Sequence, residues 1–341
     1  MSNITVSTPV HKFMQSSQKR DMQGLLNVPL PFAAFTHTLT QNEWRKAAKF
    51  TSTKNSGTIY SSFKTSTGYA RMLNHDGTWQ AVAGTGSPNN IIGYNSKTTP
   101  TDGKPSFYAI IPCDASGNVD GDITYLRITN HRLTSIDVTG LSSLTYLSLN
   151  SNQLTSIDVT GLSSLTYLNL SYNHLSSFDP TGLSSLTTLY LSYNQLTSFD
   201  ATELSSLIVL LLNNNQIASL DTTGLSSLRE LTLQNNQLTS FDGTGLSSMY
   251  NFYITNNQLT SFLVGDMTLE DIYSYHTALD LSNQQLGVDA LNLIYADLPD
   301  GDTYGYYPNT INVTGNIGAG AGTGTNPSVA TAKGWTVIGD S

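Results

Sequence analysis

Charge is scarce in this chain: only 11% of its 341 residues are Asp, Glu, Lys or Arg. Ser, Thr, Asn and Tyr fill the polar positions instead. A single cysteine, Cys113, excludes an intrachain disulfide and any thiolate metal cluster. It sits in the apolar run FYAIIPC, which reads as a strand with a buried structural thiol. No apolar stretch is long enough for a helix to span a bilayer, so membrane insertion is not expected. The residues MSNITVSTPVHKFMQSSQKR contain no apolar segment of the kind a secretory signal needs, and the C-terminus shows no hydrophobic anchor. Catalytic signatures are missing as well. His11, His37, His75, His131, His174 and His276 are never paired at a metal-ligand spacing, and there is no nucleophile elbow, P-loop or dinucleotide fingerprint. The carboxylates lack the close pairing that glycoside hydrolysis requires. The expectation is a protein that is not an enzyme and carries neither cofactor nor metal.

What charge there is lies unevenly. Residues 1–132 hold 13 Lys and Arg against 7 Asp and Glu, whereas residues 133–341 hold 2 against 17. The second part repels phosphate backbones, so nucleic acid is not the expected partner.

A 21-residue unit recurs six times without a gap from Leu133 to Gln258. The first copies read LTSIDVTGLSSLTYLSLNSNQ, LTSIDVTGLSSLTYLNLSYNH and LSSFDPTGLSSLTTLYLSYNQ. Within each lies L-x-x-L-x-L-x-x-N-x-L, as in Leu144, Leu147, Leu149, Asn152 and Leu154. The alternation in YLSLN and YLNLS points leucines inward and Tyr, Ser or Asn outward, as in a half-buried strand. In the first copy the inward set is Leu133, Ile136, Leu141, Leu144, Leu147, Leu149 and Asn152. One such coil leaves its two flat faces bare, so coils must stack and the stack needs caps.

The pattern resembles the leucine-rich repeat, whose unit combines a short strand with a turn. The resemblance implies a β-rich α/β solenoid with short parallel strands that binds through its surface. Its short units are similar to those of bacterial surface adhesins of the internalin-like class. ITYLRITNHRL extends the array upstream, with His131 at the Asn position. ALDLSNQQL (Gln284) and TINVTGNI (Asn316) extend it downstream, for nine candidate strands between Leu126 and Val313.

Two columns of polar residues follow from the register. Asn152, Asn173, Asn194, Asn215, Asn236 and Asn257 form a structural ladder, in which each buried amide must bond its oxygen and its NH2 to a neighbouring turn. Asp137, Asp158, Asp179, Asp200, Asp221 and Asp242 precede x-Thr-Gly or a near variant. Stacked carboxylates offer calcium ligands, but one per coil without D-x-D clustering favours the capping of each turn by its own Asp. The outward surface carries Tyr125, Tyr146, Tyr167, Tyr172, Tyr190, Tyr193 and Tyr253, interleaved with Asn150, Asn169, Asn213, Asn214 and Ser148. Rigid amphipathic Tyr and adaptable Asn suit recognition of a glycan or a polar protein face. The alternative is that these residues serve strand propensity and cross-coil stacking alone.

Residues 31–122 read as a small β-rich connecting and capping domain, from the runs GTIYSSF, GYARML, TWQAVAG, NNIIGY and SFYAIIPC. A T-x-x-E capping box from Thr40 to Glu43 predicts a helix over Thr40–Phe50. Residues 1–30 read as an anchoring segment with a short helix near Ser16–Gln23. Here Phe13, Arg20, Leu25, Leu26 and Val28 resemble the helix-and-turn stretch of phage tail-fibre and other virion proteins, with Asn27 where that family has Gly; the alternative is an ordinary capped helix. At the far end, Leu291, Ile294, Tyr295 and Leu298 have helical spacing, GAGAGTGTN is a loop, and PSVATAKGWTVIGDS reads as a helical turn and a strand. The GVDALNLIYADLP and ATAKGWTV segments resemble the ends of repeat proteins in phages of Bacteroidota. The repeats thus occupy 123–316, and 317–341 form a C-terminal cap.

Together these resemblances imply a virion protein, a tail fibre or spike, assembled in the host cytoplasm and displayed extracellularly. Its strand face would bind a host-surface glycan or protein, its N-terminal segment would bind other virion proteins, and it is a candidate homo-oligomer. The alternatives are a structural virion decoration protein, or a bacterial adhesin or intracellular protein-binding module.

Overall fold

The computed structural model describes residues 48–52, 60–65, 69–73, 79–82, 92–95, 106–113, 122–249, 251–267, 279–300, 309–320 and 324–340. The expected helix near Ser16–Gln23 and the tail-fibre-like stretch lie outside these residues. The chain forms two compact units, Met1–His174 and Leu175–Ser341.

The first unit opens with β1 (Ala48–Ser52), β2 (Tyr60–Thr65), β3 (Tyr69–Leu73), β4 (Trp79–Val82), β5 (Ile92–Asn95) and β6 (Ser106–Cys113). The coils begin with β7 (Ile123–Arg127) and β8 (Leu133–Asp137), followed by β9 (Tyr146–Ser148) and β10 (Tyr167–Asn169). Strands β7, β9 and β10 run parallel, with Tyr125, Tyr146 and Tyr167 in register. Edge strands recruit unwanted partners unless covered, and both strands of the first coil are covered by the N-terminal segment. Strand β2 lies antiparallel between β7 and β5, and β1 lies antiparallel between β8 and β6. Strand β6 also pairs with β3, which pairs with β4.

This arrangement corrects the helix expected over Thr40–Phe50. Ala48, Lys49 and Phe50 belong to β1, paired on both sides, while residues 40–47 lie outside the described set. The helical propensity of KAAK is worth only tenths of a kcal/mol per residue. A strand that fills a gap between two others satisfies its backbone on both edges and buries Ala48 completely. Cys113 ends β6, but its side chain lies outside the described set.

The second unit repeats the coil with β11 (Thr188–Tyr190), β12 (Val209–Leu211), β13 (Glu230–Thr232), β14 (Ser240–Asp242), β15 (Asn251–Tyr253), β16 (Ser261–Leu263) and β17 (Leu279–Asp280). Helix α1 (Val288–Asp297), β18 (Asn309–Asn312), helix α2 (Ser328–Ala332) and β19 (Trp335–Ile338) complete it. Strands β11, β12, β13 and β15 form one parallel sheet. Strands β14 and β16 form a second, and β17, β18 and β19 a third.

In every clean coil the leucines of the consensus are buried, among them Leu144, Leu147 and Leu149 in the first copy and Leu207, Leu210 and Leu212 in the fourth. The repeat region is a parallel β-solenoid. In the longer unit near the end, α1 takes the place of the tight turn and buries Leu291, Ile294 and Tyr295. Pro299 ends it by forcing Leu298 into an extended conformation, φ −55° and ψ 136°.

Candidate binding surface

The Asn column lines the core edge of each coil. Asn152 Oδ1 accepts bonds from the backbone N–H of His131 and Leu133, and its Nδ2 donates to the carbonyls of Ile128 and Leu149. Asn173 accepts from Leu154 N and donates to Leu149 O and Leu170 O. In the second unit Asn215 accepts from Leu196 N and donates to Leu191 O and Leu212 O. Asn236 and Asn257 repeat the scheme. Asn194 accepts from Leu175 N and donates to Leu191 O. Gln284 and Asn316 occupy the same role in the longer coils. His131, at the first position, is buried too.

The Asp column faces solvent at the turn after each Leu-x-x-apolar stretch. The Oδ1 of Asp137, Asp158, Asp179, Asp200, Asp221 and Asp242 accepts the backbone N–H two residues on, at 2.9–3.0 Å. These bonds hold Asp200 and Asp221 below the usual carboxylate range: the backbone N–H of Thr202 dominates for Asp200, and the side chain of Thr223 for Asp221. No group of three or more His, Cys, Asp or Glu among the described residues is placed to hold a metal ion.

The Gly that follows Thr in this turn is left-handed, with φ near +85° in Gly161, Gly182 and Gly224. The fourth copy has Glu203 there. Its backbone avoids the left-handed region, and its carboxylate accepts the N–H of Gly182, one coil back, at 3.0 Å. Asp266 does the same for Gly245.

On the strand face of the first unit, Tyr125, Tyr146 and Tyr167 stack ring on ring. Their centroids are 4.2 and 4.3 Å apart, and the planes tilt by 12° and 3°. Such stacking uses the ring faces on one another, and the Tyr167 hydroxyl accepts from Asn169. Partial burial raises the Tyr146 and Tyr167 phenols above their ordinary pKa; Tyr125 raises Tyr146 further, while the hydrogen bond from Asn169 partly offsets the rise in Tyr167.

The asparagines expected to contact a ligand are engaged within the protein. Asn150 accepts from Ser148 Oγ and donates to Ser151 Oγ. Asn169 accepts from Ser171 N and donates to the Tyr167 hydroxyl. Asn213, in the second unit, accepts from Ser192 Oγ at 2.6 Å and from Thr232 Oγ1 at 3.0 Å.

Tyr172 and Tyr193 stand apart from the other tyrosines. The sequence pattern groups them with the strand face, yet neither is on a strand. Each occupies the left-handed position that ends the strand, φ 56°, shared with Asn214, Asn235 and Asn256. There the N–H of Tyr193 reaches the Asn213 carbonyl of the next coil. Side chains at that corner project outward, and Tyr172 and Tyr193 are 53% and 44% exposed. Tyr190 is half-buried and Tyr253 exposed, both on strands of the second unit. Glu230 is the one ionisable carboxylate or base on β9–β13 and β15, and burial raises its pKa.

Two family models match the region whose geometry has just been described. One described as Leucine rich repeat covers residues 122–175, and one described as Leucine Rich repeats (2 copies) covers residues 163–206. Residues 122–206 thus match the leucine-rich repeat pattern. No curated protein matches the chain.

Among solved structures, the chain is similar to a Leptospira interrogans leucine-rich repeat protein, with 25% identity and a TM-score of 0.43 over 58% of this chain and 49% of that one. It is also similar to the functional domain of InlJ from Listeria monocytogenes, with 22% identity and a TM-score of 0.40 over 63% of this chain and 50% of that one. The match thus spans about half the length of each. The Listeria domain is described as including a cysteine ladder.

Proposed function

We propose that the leucine-rich repeats form a recognition module whose strand face binds a glycan or protein on a host cell surface. The observation that carries this reading is the tyrosine column Tyr125–Tyr146–Tyr167, a rigid aromatic ridge on a face almost free of charge. Rigid tyrosines give up little side-chain entropy on binding, and stacking immobilises them in advance. The stacked ring faces favour edge contacts over sugar-face stacking, with Tyr172 as an exposed aromatic anchor.

The setting we propose is a virion, a fibre or spike, supported by the tail-fibre-like residues Phe13, Arg20, Leu25, Leu26 and Val28 and by the phage-like C-terminal segments. Labelled full-length chain applied to a panel of intact bacterial cells tests the binding. Saturable binding that is lost in a Tyr146→Ser, Tyr167→Ser variant of unchanged thermal stability is the expected result. Protease treatment of the cells then distinguishes a protein receptor from a glycan, which periodate destroys. Binding left intact by the variant would sink the strand-face reading, and absence of the chain from purified particles would sink the virion setting.

A further inference from the structure

The second unit holds a groove with a volume of about 610 Å³, in the range typical of ligand pockets. Its floor is the sheet of β14 and β16, where Phe241 and Phe262 stack with centroids 5.5 Å apart. Leu220 lines one part of it, and Leu263 and the α1 residues Leu293 and Ala296 line another. Leu293 is 70% exposed and Leu263 42% exposed. Two exposed leucines lining one concave site, on β16 and on α1, present apolar area that an inserted side chain would cover.

The walls are held in place by structure. Asp297, near the end of α1, accepts the N–H groups of Val264 and Gly265 through Oδ2, at 2.8 and 3.0 Å, and so ties the helix to the end of β16. Asp242 uses Oδ1 for its own turn. Each carboxylate therefore keeps a second oxygen without a hydrogen bond among the described residues. No lysine or arginine lines the groove, and residues 133–341 hold only 2 basic residues against 17 acidic ones.

The geometry points to a second binding site here, for a peptide segment that places an apolar side chain between Leu263 and Leu293 and flanking Lys or Arg groups against Asp242 and Asp297. The apolar walls supply contact area, and the carboxylates select the sign of the flanking charge and reject acidic segments. This site is independent of the strand-face reading, since it uses other residues.

The test uses the full chain and two fluorescein-labelled peptides, KLLKFLKK and its charge-reversed counterpart ELLEFLEE. The basic peptide binds saturably at one site per chain and the acidic one does not. Leu293→Ser and Leu263→Ser each weaken binding at least tenfold, with unchanged thermal unfolding because both side chains are exposed. Failure of the basic peptide to bind, equal binding of both peptides, or unchanged affinity in Leu293→Ser would overturn the proposal; the last result would mean diffuse attraction to the acidic surface. Self-association of the chain that is abolished by Leu293→Ser would overturn it in favour of a second copy as the occupant. Loss of cell binding in the tyrosine variant leaves these results unaffected, so the two readings fail separately.

Discussion

The Lys49 ammonium lies 3.0 Å from the Asp137 carboxylate, joining β1 to the first capped turn of the repeats. Lys49 is only 5% exposed and Asp137 36%. Asp137 Oδ1 also accepts the N–H and the hydroxyl of Thr139, so a single carboxylate both closes its own turn and neutralises a buried cation. Asp137→Asn preserves an acceptor for the turn while removing the charge. Because losing one partner of an ion pair to a buried cation costs more than losing one of an exposed pair, we expect a loss of about 2 kcal/mol in chemical denaturation. Asp200→Asn, at the same turn position without a lysine, should lose less. Equal losses would show that the ion pair contributes nothing.

Asn215 occupies the ladder where neighbouring coils meet, with three backbone partners. Asn215→Ala strips those partners in a buried place, and unsatisfied groups cost roughly 1–3 kcal/mol each. We expect a destabilisation of about 3 kcal/mol or more, read as a lower denaturant midpoint. A change below about 1 kcal/mol would mean that the turns close without the amide.

Burial raises the Glu230 carboxyl above its ordinary pKa, so its charged form is disfavoured in the folded chain. The folded state therefore binds its proton more tightly than the unfolded state. The resulting penalty is full at neutral pH and is relieved as pH falls through the raised value toward the unfolded one. Glu230→Gln should raise the thermal midpoint by about 1–2 °C at pH 7, with the gain disappearing near pH 4. A variant less stable at pH 7 would contradict this.

The stacked Tyr146 and Tyr167 should ionise later than free tyrosine in a spectrophotometric alkaline titration, since burial raises both. Above the unfolded value near 10 the unfolded chain releases these protons first, so stability falls as pH rises through that region. Replacing Tyr146 with Phe should make the fall shallower. Normal ionisation of both residues would mean that the stack is open in solution.

The sequence by itself determined the coils: the strand positions, the buried leucines, the Asn column and the Asp turns all recur at a spacing of 21. Each coil meets its neighbours at that one separation, so every contact that matters is repeated down the chain and stands out against positions that vary. The helix α1 and the final strand β19 were legible for a similar reason, their apolar spacing and turn residues being local. Only the tertiary structure decided the rest. That Ala48–Ser52 is a strand depends on two partners more than fifty residues away, and a pairing made once leaves no period to read. Tyr172 and Tyr193 share the outward pattern of the strand residues, and their left-handed corner shows only once the backbone closes. The groove beside α1 joins Leu220, Phe241, Leu263 and Leu293 from separate coils and a helix. No stretch of sequence carries that juxtaposition, because the packing of the helix on β16 creates it.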